Sequence, residues 1–421
     1  MALIGTVPRR CVNLPPGSLR TLIRCIREDE VQAGPALEKF QREFGKWLGA
    51  PHVVGASSGR SAFQLALNAL ELEKGSEIIF PALTFPVMPM VAKILGYKPV
   101  FCEVDPDTFN SGPEHIEPKI TGKTRAVLAT HLFGQPCAIE EVVELARKKN
   151  FFVIEDCAHA CGVRVDGQQV GTFGDIGVFS FAEGKNMPCF GGGAVATADE
   201  KVAHRATQLI AIAPFPTKTA AIKNGFSIWL KWLFTRPLIF GLTAYQVLRL
   251  KLLLDQPLMD STVGDELLED FTRANPGVRR LSNLQAAVGL LQLKHIDGFN
   301  EGARRNASIL TEELGEVPSV KAPRSIEGDH IYVYYPLTVA PERRDDLRHY
   351  LLKHGIDSKI TDMADCSTLK PFREKATISN GQYSPSEASI LEICVYPVIP
   401  ENKMRRIARI IRAWAGLSEL K

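Results

Sequence analysis

The sequence predicts an α/β fold, a mainly parallel sheet sandwiched by helices, joined to a smaller C-terminal α+β domain. Short apolar runs alternate with helix-patterned segments from residue 52 to residue 197, the rhythm of repeated βαβ units. From about residue 300 that rhythm changes. A chain of 421 residues is also longer than one hydrophobic core normally organises. These observations divide the chain into a large domain over residues 1–300 and a small domain over residues 301–421.

Residues 17–49 read as helical: LEKFQREFGKWLGA spaces its apolar residues at helical intervals and carries a glycine near its end. HVVGA (52–56) is a strand, followed by the helix SAFQLALNALEL. EIIF (77–80) is a strand, followed by the helix PVMPMVAKILG. PVFCEV (99–104) and AVLATHLFG (126–134) are strands, then come the helix EEVVELARKKN and the strand FFVIE (151–155). IGVFSF is a continuous apolar run and reads as a buried strand, and GGAVAT starts the last strand of this region. SNLQAAVGLLQLKHIDGF is a helix. Beyond residue 300 the order is helix, strand HIYVYYPLTV, helix ERRDDLRHYLLKHG, strand IDSKIT and a last helix, NKMRRIARIIRAW.

Composition excludes several classes. Lys plus Arg number 50 against 47 Asp plus Glu, so no nucleic-acid partner is implied. Nine scattered cysteines, an odd number, read as reduced thiols of a cytoplasmic protein. The first residues lack a secretory signal, and no charge-free apolar stretch reaches the length of a spanning helix. One region breaks the balance. Residues 201–254 hold eight Lys or Arg and no acid, and six acids follow within 255–270. An apolar, basic insert at about 214–256 stands out here, with Trp229 and Trp232 three residues apart on one helix face. Pro237 breaks that helix, and the 12 uncharged residues that begin with it would rise only about 18 Å as a helix, short of the roughly 30 Å hydrocarbon core. The pattern fits an element lying on an anionic membrane surface, the inner face of the cytoplasmic membrane. Its rival is packing in a dimer interface or on the core.

The chemistry concentrates in GTFGDIGVFSFAEGKNMPCFGGGAVAT (171–197), which delivers Ser180 and then Lys185 into a loop ending at Gly191, Gly192 and Gly193. Asp156 follows the strand FFVIE, where ligands gather in open α/β sheets. An amine and a carboxylate at neighbouring strand ends suit pyridoxal phosphate (PLP): the lysine forms a Schiff base and the acid pairs with the ring nitrogen. His159 is a candidate for the cofactor's phenolic oxygen, and Phe85, in PALTFPVMP, for stacking on its ring. The turn Ser57-Ser58-Gly59-Arg60-Ser61, between a strand and a helix, offers a phosphate cup that Ser180 closes. Cys157, His159 and Cys161 spell C-x-H-x-C, but that spacing is unlike ordinary zinc sites and no metal is expected.

Together, AGPALEKFQREFGKWLGA, SSGRSA, FPALTF, VFCEVDPDTF, THLFGQPC, IEDCAHACG, VGTFGDIGVFSF, the Lys185 loop and LSNLQAAVGLLQL resemble the DegT/DnrJ/EryC1/StrS family of PLP-dependent sugar aminotransferases. The resemblance implies PLP fold-type I and a homodimer with shared active sites. It implies Lys185 as the Schiff-base lysine, Asp156 as the ring-nitrogen partner, His159 and Phe85 as ring contacts, and Gly59, Arg60, Ser61 and Ser180 as phosphate ligands. The amino donor would be glutamate or glutamine and the acceptor a keto sugar, nucleotide-linked or lipid-linked. The sequence departs from the family at Arg60, where threonine is common. Val278 falls where a family asparagine reaches the partner's phosphate, with Asn275 able to substitute only in a shifted register; Arg280 matches a family arginine. ITDMADCSTLKPF (360–372) replaces a histidine-rich sugar-binding turn. Two rivals are a PLP-dependent sugar dehydratase, in which histidine replaces the lysine, and a membrane-associated non-catalytic member of the fold. The intact Lys185, Asp156 and glycine set argues against both.

Overall fold

The computed structural model describes residues 5–254, 256, 258, 277–317, 319–324, 329–372 and 387–418. In chain order its strands are β1 His52–Ala56, β2 Glu77–Pro81, β3 Leu83–Thr84, β4 Lys98–Cys102, β5 Thr124–Thr130, β6 Phe152–Asp156, β7 Arg164–Val165, β8 Gln168–Gln169, β9 Ile176–Ser180 and β10 Gly193–Thr197. The C-terminal part adds β11 Val320–Lys321, β12 Tyr335–Val339, β13 Lys359–Ile360, β14 Ala364–Asp365 and β15 Ile390–Ile393. Seven strands form the central sheet in the order β1-β10-β9-β6-β5-β2-β4. From β9 to β4 every pairing is parallel. β10 is antiparallel to both its neighbours, because the loop that carries Lys185 turns straight back from β9 without a crossover helix.

Both faces of this sheet are covered, as the apolar run IGVFSF requires. Phe179, Ala194 and Ala196 join Leu22, Phe40 and Phe44 of the helices Ser18–Arg27 and Ala36–Leu48 in one core. Phe44 meets Phe179 edge-on at 5.2 Å between ring centroids. Val178 and Val195, one residue along each strand and so on the opposite face, pack with Phe63, Leu65 and Phe80 in a second core under the helix Gly59–Ala69.

Several elements differ from the sequence reading. Residues 17–49 form two helices, because Asp29 adopts a left-handed φ of 58° and Pro35 starts the second. The 282–299 segment also divides: Asn283–Gln292 is opened by a Ser282/Gln285 capping box, and Ile296–Leu314 follows, running across residue 300. The strand expected from residue 330 begins only at Tyr335, after a left-handed Tyr332.

The C-terminal sheet is antiparallel, in the order β11-β12-β15-β13. Its core includes Val7 and Cys11 from the start of the chain, beside Tyr335, Leu391 and Ile407. β14 pairs with β3, Ala364 opposite Thr84, which lays the 360–372 segment against the loop leaving β2.

The insert folds as three helices, Lys218–Phe234, Pro237–Leu242 and Ala244–Leu253, with Pro237 at the first position of the second. Trp229 and Trp232 do share a face, stacked at 6.3 Å, but that face packs on the main core and is not the outward one. The outward face carries Phe226, Leu230 and Phe234, continued by Leu238, Leu242, Val247 and Leu250. Among the described residues no helix is long and apolar enough to cross a membrane. The acidic segment lies outside the described residues, apart from Gln256 and Leu258 within it.

Glu155, fully buried in β6, shapes the approach to β9. Its carboxylate accepts the backbone N–H groups of Gly171, Phe173 and Gly174 at 2.7–2.8 Å and pairs with His131 Nε2 at 3.2 Å. Glu155→Ala strands three donors, one buried and two part-buried, and leaves the buried His131 without its carboxylate, and should cost about 3–5 kcal/mol. The expected readout is a clearly lowered thermal midpoint; an unchanged midpoint would refute this account.

Candidate active site

A cavity opens at the carboxyl ends of β5, β6 and β9, the position where open α/β sheets bind ligands. Lys185, Asp156, His159, Phe85, Ser180, Gly59 and Arg60 all line it. Ser61 does not: it is fully buried, and its hydroxyl exchanges hydrogen bonds with the Arg279 backbone. Ser58 takes the place expected of Ser61. Its side chain caps the helix Gly59–Ala69 by accepting from Ser61 N–H at 3.1 Å, and it faces the cavity.

Three backbones meet at this turn. A Cβ on Gly59 would lie 2.7 Å from Ser180 Cβ, and one on Gly193 would lie 2.7 Å from the Ser58 carbonyl. Glycine at both places lets the helix N-terminus sit directly against the ends of β9 and β10. The result is a concave surface of N–H groups with Ser58, Ser180 and Arg60 around it, suited to a phosphate.

The Lys185 loop is pinned on both sides. Asn186 donates to the Cys161 carbonyl at 2.6 Å and to Asn300 at 3.0 Å, and the Tyr334 hydroxyl donates to the Gly184 carbonyl at 2.8 Å. Burial lowers the Lys185 amine to about 8; Asp156 works against that shift, while Lys359 and Arg10 add to it. Asp156 accepts from Ala158 N–H at 3.0 Å. Burial pushes its carboxyl up, against the pull of that N–H, Lys185 and His131. His159 Nδ1 accepts from Phe133 N–H at 3.3 Å, so the neutral ring carries its proton on Nε2. Burial, then Lys185, Lys359 and Arg10, hold this ring well below its ordinary value and therefore neutral.

Sequence reasoning missed other cavity residues. Thr84 and Thr130 each have a buried hydroxyl with no hydrogen-bond partner among the described residues, the mark of a site shaped for a polar ligand. Both sit at strand ends, which was a usable signal. Arg10, Lys359, Asp362 and Glu392 come from distant segments and carried no local motif. The Cys157, His159 and Cys161 pattern does not form a ligand cluster; the group that converges is His131, Glu155 and Cys157. Its imidazole and carboxylate are already bonded to each other and to backbone N–H groups. Arg280 lies over the Phe215 ring at 4.2 Å, Val278 packs on the second core, and Asn275 is outside the described residues.

The sequence model of the DegT/DnrJ/EryC1/StrS aminotransferase family matches residues 17–220 and 265–414. The gap between the two matched stretches coincides with most of the insert. GDP-perosamine synthase of Escherichia coli O157:H7 is 31% identical over 326 residues, covering 77% of this chain and 76% of that protein. The dTDP-3-amino-3,4,6-trideoxy-alpha-D-glucose transaminase of Streptomyces venezuelae is 30% identical over 387 residues, covering 91% and 88%. The crystal structure of S. venezuelae DesV in complex with a ketimine intermediate superposes with a TM-score of 0.73 at 26% identity, covering 94% of each chain.

The lowered amine gives a test that needs no ligand. Only the neutral amine is nucleophilic, so acylation of Lys185, followed by mass spectrometry, should rise with pH through about 8. A midpoint in the ordinary lysine range would show that the cavity does not perturb this side chain.

Proposed function

The chain belongs to the DegT/DnrJ/EryC1/StrS aminotransferase family, and from that membership we propose that it transfers an amino group from glutamate or glutamine to a keto sugar with pyridoxal 5'-phosphate as cofactor. The observation that carries the proposal is the half-buried Lys185, in the loop after β9, lining one cavity with the buried Asp156 at the end of β6 and the phosphate-shaped turn at Ser58 and Gly59. The residues present fit the cofactor. The hydroxyls of Thr84 and Thr130, which have no partner among the described residues, offer polar groups in the cavity, and the helix Gly59–Ala69 points its N-terminus there, with Ser58 capping it at Ser61 N–H.

Bound there, the cofactor supplies an electron sink for the pair of electrons left when a proton leaves the substrate carbon. Lys185 holds it through its amine, and that amine, once free, moves the proton. Asp156 keeps the ring nitrogen protonated. His159 donates from Nε2 to the phenolic oxygen, and Phe85 lies against the ring. Ser58, Ser180, Arg60 and the N–H groups from Gly59 onward hold the phosphate; of the expected ligands, Ser61 can serve only through its helix position. Lys185 disfavours the dehydratase reading.

The large domain, 1–300, carries the cofactor and the insert, and the small domain, 301–421, closes the substrate side. The protein works as a homodimer in the cytoplasm. The insert rests on the inner face of the cytoplasmic membrane through Phe226, Leu230, Phe234 and the leucines beyond. The exposure of these residues, with the basic Lys223 and Arg249 beside them, supports that reading. A nucleotide or a lipid carries the acceptor sugar.

Lys185→Ala should abolish amino transfer and the borohydride-reducible link to the cofactor. A reducible adduct on another lysine would defeat the assignment. Glutamate should bleach the bound cofactor's visible band in the wild type, and a keto sugar should restore it; failure of the bleaching step removes the transaminase reading.

The membrane reading has its own test. Wild-type protein should co-sediment with anionic vesicles at low salt and less so at high salt. Leu230→Glu with Phe234→Glu should release it while the cofactor stays bound. Wild-type protein that stays in the supernatant at low salt would show that the exposed face serves another contact.

A further inference from the structure

We propose that Arg10 is the carboxylate-binding subsite for the amino-acid donor. The inference rests on the transaminase reading and goes beyond it by naming the group that recognises the donor. Arg10 is delivered by a tightly held segment. Val7 bonds to the backbone of Gly355 and Asp357, and the Val12 carbonyl accepts from Arg236 at 3.0 Å. The guanidinium then occupies the space that a side chain at position 184 would fill: a Cβ on Gly184 would lie 3.1 Å from Arg10 Cζ. It therefore packs against the residue that precedes Lys185 and lines the same cavity.

Among the described residues its own hydrogen bonds are unmade. Nε has no partner among the described residues, and the nearest carboxylates, Asp362 at 3.7 Å and Glu183 at 4.0 Å, lie beyond hydrogen-bond distance of the terminal nitrogens. The other cations nearby are satisfied. Arg9 Nε meets Asp357 at 2.7 Å, and Lys359 meets Asp362 at 2.6 Å and Glu392 at 3.2 Å. About 24% of the Arg10 side chain stays open, which leaves its fork reachable. Asp362 and Glu183 flank the fork, and each is itself held by a lysine, Asp362 by Lys359 at 2.6 Å and Glu183 by Lys231 at 2.8 Å.

An α-amino acid carries its carboxylate on the carbon that bears the amine. When that amine reaches the position of the Lys185 amine, the carboxylate must fall in the immediate neighbourhood. A planar, always-charged fork is the group that matches a carboxylate there. Glutamate and glutamine share this group, so the subsite serves either donor.

The test uses holoenzyme carrying Arg10→Gln and Arg10→Lys, with thermal melting to confirm folding. The donor half-reaction is followed with L-glutamate and with L-isoglutamine, whose α-carboxylate is an amide. Calorimetric titration with 2-oxoglutarate, which has no amine to give, reports binding without turnover. The wild type should prefer glutamate over isoglutamine. Arg10→Gln should weaken glutamate KM and 2-oxoglutarate binding roughly tenfold to a hundredfold and erase the preference, with Arg10→Lys between the two. Unchanged glutamate KM and preference in Arg10→Gln would overturn the proposal. So would a loss confined to the acceptor half-reaction, which would assign Arg10 to an anion on the acceptor. A wild-type holoenzyme that glutamate leaves unbleached is a different result: the transaminase reading fails first, and this subsite with it.

Discussion

The close approach of three backbones, at Ser58, Ser180 and Gly193, sets the geometry on which the rest of the cavity depends. Gly59 and Gly193 carry no side chain exactly where a methyl group would touch Ser180 or the Ser58 carbonyl. The helix N-terminus and the ends of β9 and β10 are therefore locked together, and the Lys185 loop begins from that lock. Everything further out is positioned relative to it: Asp156 by the parallel register of β6 on β9, the Gly184 carbonyl by Tyr334, and Asn186 by Asn300.

Burying charge is the second constraint. The cavity holds Lys185, Lys359 and Arg10 against Asp156, Asp362, Glu183 and Glu392 in a space where water is scarce and charges act strongly. Three of these charges, Lys359, Asp362 and Glu392, are spent on one another. Lys359 is clamped by two carboxylates, and although burial works to lower its amine, Glu392, Tyr334 and Asp362 together hold it above the usual lysine range. Lys185 has no such clamp, and burial dominates it. Two lysines in one cavity are thereby set to opposite protonation behaviour by their neighbours.

The parts of this arrangement that local chemistry encodes were legible in the sequence. The strand runs HVVGA, EIIF, FFVIE and IGVFSF lie within one or two residues of β1, β2, β6 and β9, because each is a short apolar segment bounded by turn residues. Lys185, Asp156 and His159 stand near one another because strand ends converge in a parallel sheet, which a linear motif can record. Ser61 misled because a hydroxyl in a turn can face the backbone as readily as a ligand. Trp229 and Trp232 misled for a related reason: spacing identifies a helix face but not its direction, and here the tryptophans face in and Phe226, Leu230 and Phe234 face out. Arg10, Lys359 and Glu392 were illegible because only tertiary packing brings residues from the two ends of the chain to one cavity wall.

That last feature bears on how the protein is made. Arg10 leaves the ribosome long before Glu392, which lines the same cavity. Val7 finds its backbone partners only when Gly355 and Asp357 have been made. The central sheet can pair as it emerges, but the cavity wall has to wait until β15, which carries Glu392, has been made. Until then Val7 and Cys11, buried in the folded C-terminal core, lack their partners, and the nascent chain is a natural client for a chaperone at that stage of synthesis.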